Sequence, residues 1–371
     1  RKEKINAREL FAKFMKERAN TGRIYLQNVD HCNTHGAFNP SLAPIKQSNL
    51  CMEITLPTKP LYSVQDENGE VALCTLSAVN LGALDSLDEL EDITEIIVRS
   101  LDCLLDYQDY PLKSAELTSN NRRTLGIGVT NLAYYLAKND AKYSDGSGNE
   151  LIHKTFEALQ FYSLKASNKL AIEFGACPLF SETQYAQGIL PVDSYKKDID
   201  VFCNTKLELD WDSLRKDIKA SGLRNSTLTA LMPCESSSQI SNSTNGIEPP
   251  RGFVSVKQSK DGILKQVVPE YEKLHKKYEL LWDIKDNEGY LQLCAIMQKF
   301  VDQSISTNTH YDPSKFEGNR VPMKLFLMDL LKAYKYGIKT LYYHTTRDGA
   351  SDDQSINNPS DDDCEDGVCK L

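Results

Sequence analysis

An α/β architecture is predicted for this chain from two observations. Long segments with apolar residues at three- and four-residue steps recur along it, and short β-like runs stand between them. Its 371 residues, 40% apolar and 26% charged, suit one large α/β unit rather than several small modules. There is no internal repeat.

Residues 6–19 carry a short apolar stripe (Leu10, Phe11, Phe14, Met15) and are predicted helical, with Gly22 as the stop and a strand over 23–27. Residues 30–70 hold Pro40, Pro44, Pro57 and Pro60 and read as irregular. A loop of that length is usually functional or disordered, and its apolar content favours function. Leu90, Ile93, Ile97, Leu101, Leu104 and Leu105 define a helix over 88–107. Helices are also predicted over 124–138 and 153–174, the second stopped by Gly175. Residues 226–232 form a β-like run that feeds a Ser-rich turn. Amphipathic helices follow over 270–282, 290–306 and 323–336, then a strand over 338–344. From about Arg347 onward the chain is Asp, Ser, Asn and Gln with little to bury, and disorder is predicted.

The net charge is −9. Residues 351–371 hold seven acids and one base, so −6 belongs to the tail and −3 to the rest. No basic stripe of the nucleic-acid-binding kind is present, and no apolar run is long enough to span a bilayer. No secretory leader opens the chain, so a cytoplasmic setting is expected. The first residue is Arg1, which leads to the expectation of a piece of a longer chain.

Ten cysteines are too few and too scattered for a disulfide scaffold of this size. Cys364 and Cys369 stand out, because they sit on an acidic string that cannot pack and a structural cysteine is normally buried. Such a pair suits thiol–disulfide exchange. In Ser48-Asn49-Leu50-Cys51-Met52-Glu53-Ile54, an extended backbone would project Asn49, Cys51 and Glu53 to one side and Leu50, Met52 and Ile54 to the other, into a core. An amide, a thiol and a carboxylate would then meet. Spacing alone favours the other reading, an edge strand with one polar face.

Cys74, in Leu73-Cys74-Thr75-Leu76-Ser77, reads by itself as core filler. Glu235, Ser236 and Ser237 follow a strand-like run and form either an anion cradle or a plain helix cap. Tyr342 and Tyr343 are either packed strand residues or a relay for an electron and proton. In a regular strand they would face opposite ways, so a stacked relay needs an irregular strand. His31-Cys32-Asn33-Thr34-His35 lacks further ligands at zinc spacing, and no metal site is expected.

As an ordered set these segments resemble the large catalytic subunit of class I ribonucleotide reductases, of the aerobic bacterial and bacteriophage type. The resemblance runs through 21–25, 28–35, 48–60, 73–82, 122–128, 224–252 and 342–350 to the terminal cysteines. It implies that Cys51 becomes a transient thiyl radical that removes the ribose 3′ hydrogen. It also implies that Glu53 is the base for the 3′ hydroxyl, with Asn49 as its hydrogen-bonding neighbour. Cys74 resembles one half of the reducing dithiol. Tyr342 and Tyr343 resemble the end of the radical path, and Cys364 and Cys369 the shuttle pair recharged by thioredoxin or glutaredoxin. Ser48, Glu235, Ser236 and Ser237 are implied substrate contacts. Cys234 and Ser236 stand where the family commonly has Ser and Thr.

The implied fold is the C-terminal part of a ten-stranded α/β barrel over 1–346, with a central finger loop at about 46–56 and a flexible tail over 347–371. The implied substrate is a ribonucleoside diphosphate, with no cofactor bound directly. The radical would come from a metal-containing small subunit. The second active-site thiol and the nucleotide-effector regions lie upstream in the family, so an N-terminal half is expected to be required. A non-catalytic assembly or regulatory remnant of a split gene is the alternative. A generic thiol oxidoreductase is disfavoured because no Cys-x-x-Cys opens a βαβ unit.

Overall fold

The computed structural model describes residues 4–259 and 262–347, together with the backbone of Cys364–Glu365 and Val368–Cys369. Five extended segments lie side by side. Leu76–Asn80 pairs in parallel with Gly126–Thr130. Ile127 bridges to Thr229, and Leu231 bridges to Ile305, both in parallel. Thr309–Tyr311, on the same stretch as Ile305, pairs in parallel with His344–Thr346. The result is an open arc, and no closed barrel is formed among the described residues.

Helices cover the arc. Asn149–Phe174 is the longest, at 26 residues, and is buried on nearly all sides. Its Glu157 accepts hydrogen bonds from the backbone N–H groups of Glu208 and Leu209 and from the Trp211 indole at 2.9–3.1 Å. Gln160 accepts from the Thr229 hydroxyl at 2.6 Å. A helix can therefore sit inside a core without being apolar all round when buried polar side chains such as Glu157 and Gln160 find partners. Glu89–Tyr107 packs its Leu90, Val98, Leu101 and Leu105 face inward, in line with the predicted apolar periodicity.

Ala7–Thr21 is capped by Asn6 and ended by Gly22 in the left-handed region (φ 68), close to its predicted limits. Met323–Lys335 also lies close to its prediction.

Five predicted elements differ. Residues 124–138 divide into the strand Gly126–Thr130 and the helix Leu132–Lys138. A Cβ on Gly128 would come within 2.7 Å of the Ala230 carbonyl and the Met232 sulfur, so this backbone lies flat against the next segment and pairs with it. Within 270–282 only Tyr271–Leu274 is helical, because the Leu281 N–H and the Tyr278 hydroxyl bond to the carbonyls of Pro250 and Pro269 instead. Helix Glu288–Gln298 starts before position 290 and stops well short of 306, and residues 303–306 are claimed by the arc. The predicted 338–344 strand is two short pieces, Thr340–Leu341 and His344–Thr346, interrupted at the two tyrosines. The strand expected over 23–27 is reduced to Leu26–Gln27.

A buried ionic knot fastens helix Glu89–Tyr107 to the arc. Asp102 accepts from Arg123 at 2.7 Å, Arg224 at 3.1 Å and Asn225 at 3.0 Å, and both Asp102 and Arg123 are under 5% exposed. Asp102→Ala would leave Arg123 only its pair with the more exposed Asp106, at 2.8 Å, and would take the Asp102 acceptor from Arg224 and Asn225. A loss of about 1–3 kcal/mol in denaturant unfolding is expected, the range for hydrogen bonds to a charged group. A loss below about 1 kcal/mol would place the knot in the range of screened surface pairs.

The acidic tail predicted to be disordered lies outside the described residues, apart from an antiparallel backbone pairing that sets Cys364 opposite Cys369.

Candidate active site

Residues 46–56 are not a strand. The Met52 N–H bonds to the Asn49 carbonyl at 3.2 Å, and Met52 takes a left-handed conformation (φ 71). That conformation costs a non-glycine residue about 1–2 kcal/mol. The turn is held from both sides. The Ile54 N–H bonds to Asn49 Oδ1 at 3.1 Å, the Ser48 hydroxyl donates to the Ile54 carbonyl at 2.7 Å, and the Ser304 N–H donates to the Glu53 carbonyl at 2.9 Å.

Asn49, Cys51 and Glu53 therefore converge through a tight turn pinned to the arc and not through strand alternation. Two of the three residues expected on the core side, Met52 and Ile54, are buried. Leu50 is 77% exposed, because the turn carries it outward.

Asn49 Nδ2 donates to Glu53 Oε1 at 2.8 Å and lies 3.6 Å from Cys74 Sγ. Cys74 is thus drawn to the same amide as Glu53. It is an exposed thiol just before strand Leu76–Asn80, not core filler. Ser306 was not singled out from the sequence. Its hydroxyl reaches the Cys51 carbonyl at 2.5 Å and Glu53 Oε2 at 3.2 Å. Across the cleft, the Tyr342 hydroxyl is 3.8 Å from Cys51 Sγ. The Tyr342 and Tyr343 ring centroids lie 4.0 Å apart at a tilt of 49°, and Tyr25 packs on both, tilted against Tyr342 at 4.6 Å and edge-on to Tyr343 at 5.5 Å.

The cleft these groups line has a volume of about 540 Å³. Cys51, Glu53, Glu235, Tyr342 and Tyr343 lie on its wall with Glu248 and Arg251. Glu235 is held by Asn245 at 2.9 Å. Ser236 and Ser237 are exposed on the short helix Glu235–Ile240 and are not on that wall, while Ser48 lines a neighbouring cleft with Asn49 and Cys74. Cys234 is buried and points its thiol at the carbonyls of Val129 and Met232. His31 and His35 stack on each other, and His31 stacks on Tyr334. The side chains of Cys364 and Cys369 lie outside the described residues.

Burial shifts the titrating groups. It raises Glu53 above the usual carboxylate range, against hydrogen bonds to its own backbone, Asn49 and Ser306 that favour the ionised form. Burial and the nearby Glu53 carboxylate raise the Cys74 thiol. Burial, then contact with Tyr343 and Cys51, raises the Tyr342 phenol, so it stays protonated and able to donate at neutral pH. The site therefore groups a thiol, a second thiol, a buried carboxylate on an amide, and a protonated phenol.

Residues 1–344 match the family described as "Ribonucleotide reductase, barrel domain". The chain belongs to that family. It is 66% identical over its whole length to the ribonucleoside-diphosphate reductase subunit alpha of Haemophilus influenzae. It is also 66% identical to the ribonucleoside-diphosphate reductase 1 subunit alpha of Escherichia coli, and 50% identical to the alpha subunit of Enterobacteria phage T4. Each alignment covers 49% of the relative, so this barrel-domain chain spans about half the length of the curated relatives it matches. No helix among the described residues is long and apolar enough to cross a membrane.

Proposed function

We propose that this chain carries the radical-bearing part of a ribonucleotide reductase and reduces ribonucleoside diphosphates to deoxyribonucleoside diphosphates in the cytoplasm. The observation that carries the reading is that one thiol, Cys51, meets the Tyr342 hydroxyl and shares a cleft wall with Glu53, whose carboxylate Asn49 holds.

In this reading residues 1–346 are the C-terminal part of a ten-stranded catalytic barrel, with 46–56 as its finger loop and 347–371 as a redox tail. The radical arrives from a metal-containing small subunit and passes through Tyr343 and Tyr342 to Cys51. The Cys51 sulfur then takes the ribose 3′ hydrogen. Glu53 accepts the 3′ hydroxyl proton, and Asn49 holds that carboxylate in place. The 2′ hydroxyl leaves as water with a proton from Cys74 or its partner thiol. The two electrons come from that pair, which ends as a disulfide; its second hydrogen goes to C2′, and Cys51 returns its hydrogen to C3′ and is again the thiyl radical. In this reading the partner thiol lies in the part of the relatives' length that these residues do not span. Cys364 and Cys369 reduce the disulfide in turn and are recharged by thioredoxin or glutaredoxin. Glu235, Ser236 and Ser237, with Ser48, take the substrate.

The test is reconstitution. The chain, an N-terminal half, the small subunit, a reductant and a ribonucleoside diphosphate should together form deoxyribonucleotide. An assembly that binds the diphosphate and makes none would refute the reading. Combined Cys364→Ser and Cys369→Ser should lose thioredoxin-driven turnover and retain turnover with a small dithiol.

The pH profile adds a second check. Glu53 works only when ionised, so as pH falls through its raised pKa the base is lost. The acid limb of kcat/KM should therefore lie above the ordinary carboxylate value of about 4.3. Asn49→Ala removes a hydrogen bond that favours the carboxylate and should move the limb to higher pH. A limb that stays put would mean another group titrates.

A further inference from the structure

Two neighbouring residues of a regular strand point to opposite faces, yet the rings of Tyr342 and Tyr343 are in contact, with centroids 4.0 Å apart and a tilt of 49°. The backbone bonds explain how. The Tyr342 N–H donates to the Thr307 carbonyl at 2.7 Å, which sets Tyr342 opposite Asn308 in a parallel pairing. A regular ladder would then continue from the Thr309 N–H to the Tyr342 carbonyl. Instead the Thr309 N–H donates to the Tyr343 carbonyl at 3.0 Å, and the next register pairs Thr309 with His344. One residue has been inserted: Tyr342 and Tyr343 together oppose Asn308. This is a β-bulge, and it brings two successive side chains to the same side.

A bulge leaves one peptide group without its ladder partners. Here that group is the peptide joining the two tyrosines, and two side chains replace the missing bonds. The Tyr343 N–H donates to Asn308 Oδ1 at 2.9 Å. The Tyr342 carbonyl accepts from Arg18 Nη1 at 3.0 Å. Arg18 is 2% exposed, and the same nitrogen donates to the Ile24 carbonyl, directly before Tyr25. Asn308 Nδ2 in turn donates to Glu248 on the cleft wall. One guanidinium thus ties the backbone beside Tyr25 to the backbone of Tyr342, and one amide ties Tyr343 to the cleft wall.

We propose that Arg18 and Asn308 are positioning residues that clamp the Tyr342–Tyr343 peptide in a bulge and so hold the two tyrosine rings in contact and the Tyr342 hydroxyl at Cys51. The inference rests on the reductase reading for its functional part, since the ring contact matters to turnover only if the tyrosines carry the radical.

The test uses the chain with its N-terminal half and small subunit. In Asn308→Ala, hydrogen exchange at the Tyr343 amide should quicken about tenfold, the loss of one hydrogen bond. A crystal structure of the variant should show the rings separated. Turnover (kcat) should drop by about a hundredfold, as for a misplacement of about 1 Å, with KM for the diphosphate held within about twofold. Asn308→Asp alone sets a second carboxylate against Glu248 and should behave like the alanine variant. Combining it with Glu248→Gln restores both hydrogen bonds and should recover turnover. Arg18→Lys keeps a donor in a core position and should lose part of the ring contact without unfolding.

Unchanged Tyr343 exchange and unchanged ring contact in Asn308→Ala would overturn the clamp. Separated rings with wild-type kcat would overturn its role in positioning. Absence of product from the wild-type assembly would instead count against the reductase reading, and the exchange and crystallographic comparisons would still decide the clamp.

Discussion

Cys51→Ser is expected to abolish deoxyribonucleotide formation with every reductant, a loss of about 10⁴-fold or more, or about 5 kcal/mol of barrier. Serine is close to cysteine in size, and the Cys51 thiol is only partly buried. Its sulfur meets the Tyr342 hydroxyl, at 3.8 Å. The turn is held by Asn49, Ser48 and Ser304 through atoms that the substitution leaves in place. Fold and diphosphate affinity should therefore be unchanged, and the deficit should appear in kcat alone. The chemical reason lies in the bond that must break: an alcohol O–H is much stronger than a thiol S–H, so a serine hydroxyl cannot serve as the one-electron carrier. Product assay beside a binding isotherm checks both halves. Retained turnover would remove Cys51 from the mechanism and leave the cleft without an oxidant.

Local signals in the sequence predicted some of the helices well, because an apolar face at three- and four-residue spacing is a local property. Glu89–Tyr107 and Met323–Lys335 lie within a residue or two of their predicted limits. The segments that failed were decided by distant partners. Gly126–Thr130 is a strand because Leu76–Asn80 and Thr229 lie beside it, about 50 and 100 residues away in sequence. The site shows the same division. The types Asn49, Cys51 and Glu53 were legible, but their meeting was ascribed to strand alternation, and the true cause is a turn with Met52 in the left-handed region. Ser306, Arg18 and Asn308 carried no signal of their own. Each acts across a gap of 35 to 324 positions, on a backbone group or a carboxylate that only the folded chain brings near. The condition attached to the tyrosine pair, that the strand be irregular there, is met by the break between Thr340–Leu341 and His344–Thr346.

Tyr342→Phe is the second substitution expected to end turnover, by about 10³-fold or more. It isolates one atom. A phenyl ring keeps the faces offered to Tyr25 and Tyr343, whose centroids lie 4.6 and 4.0 Å away, and the backbone bonds of the bulge do not involve the phenol. Stability should change by less than about 1.5 kcal/mol, the net worth of one hydrogen bond. What disappears is the hydroxyl beside Cys51 and with it any means of exchanging a hydrogen atom with the thiol. Because burial and the neighbours Tyr343 and Cys51 hold that phenol protonated, its hydrogen is available across the neutral range, and the defect of the variant should show no pH dependence of its own. This separates it from Glu53, whose loss follows a titration. A Tyr342→Phe assembly that still converts diphosphate would mean that the radical reaches Cys51 by another route, and the contact between the rings would then be packing alone.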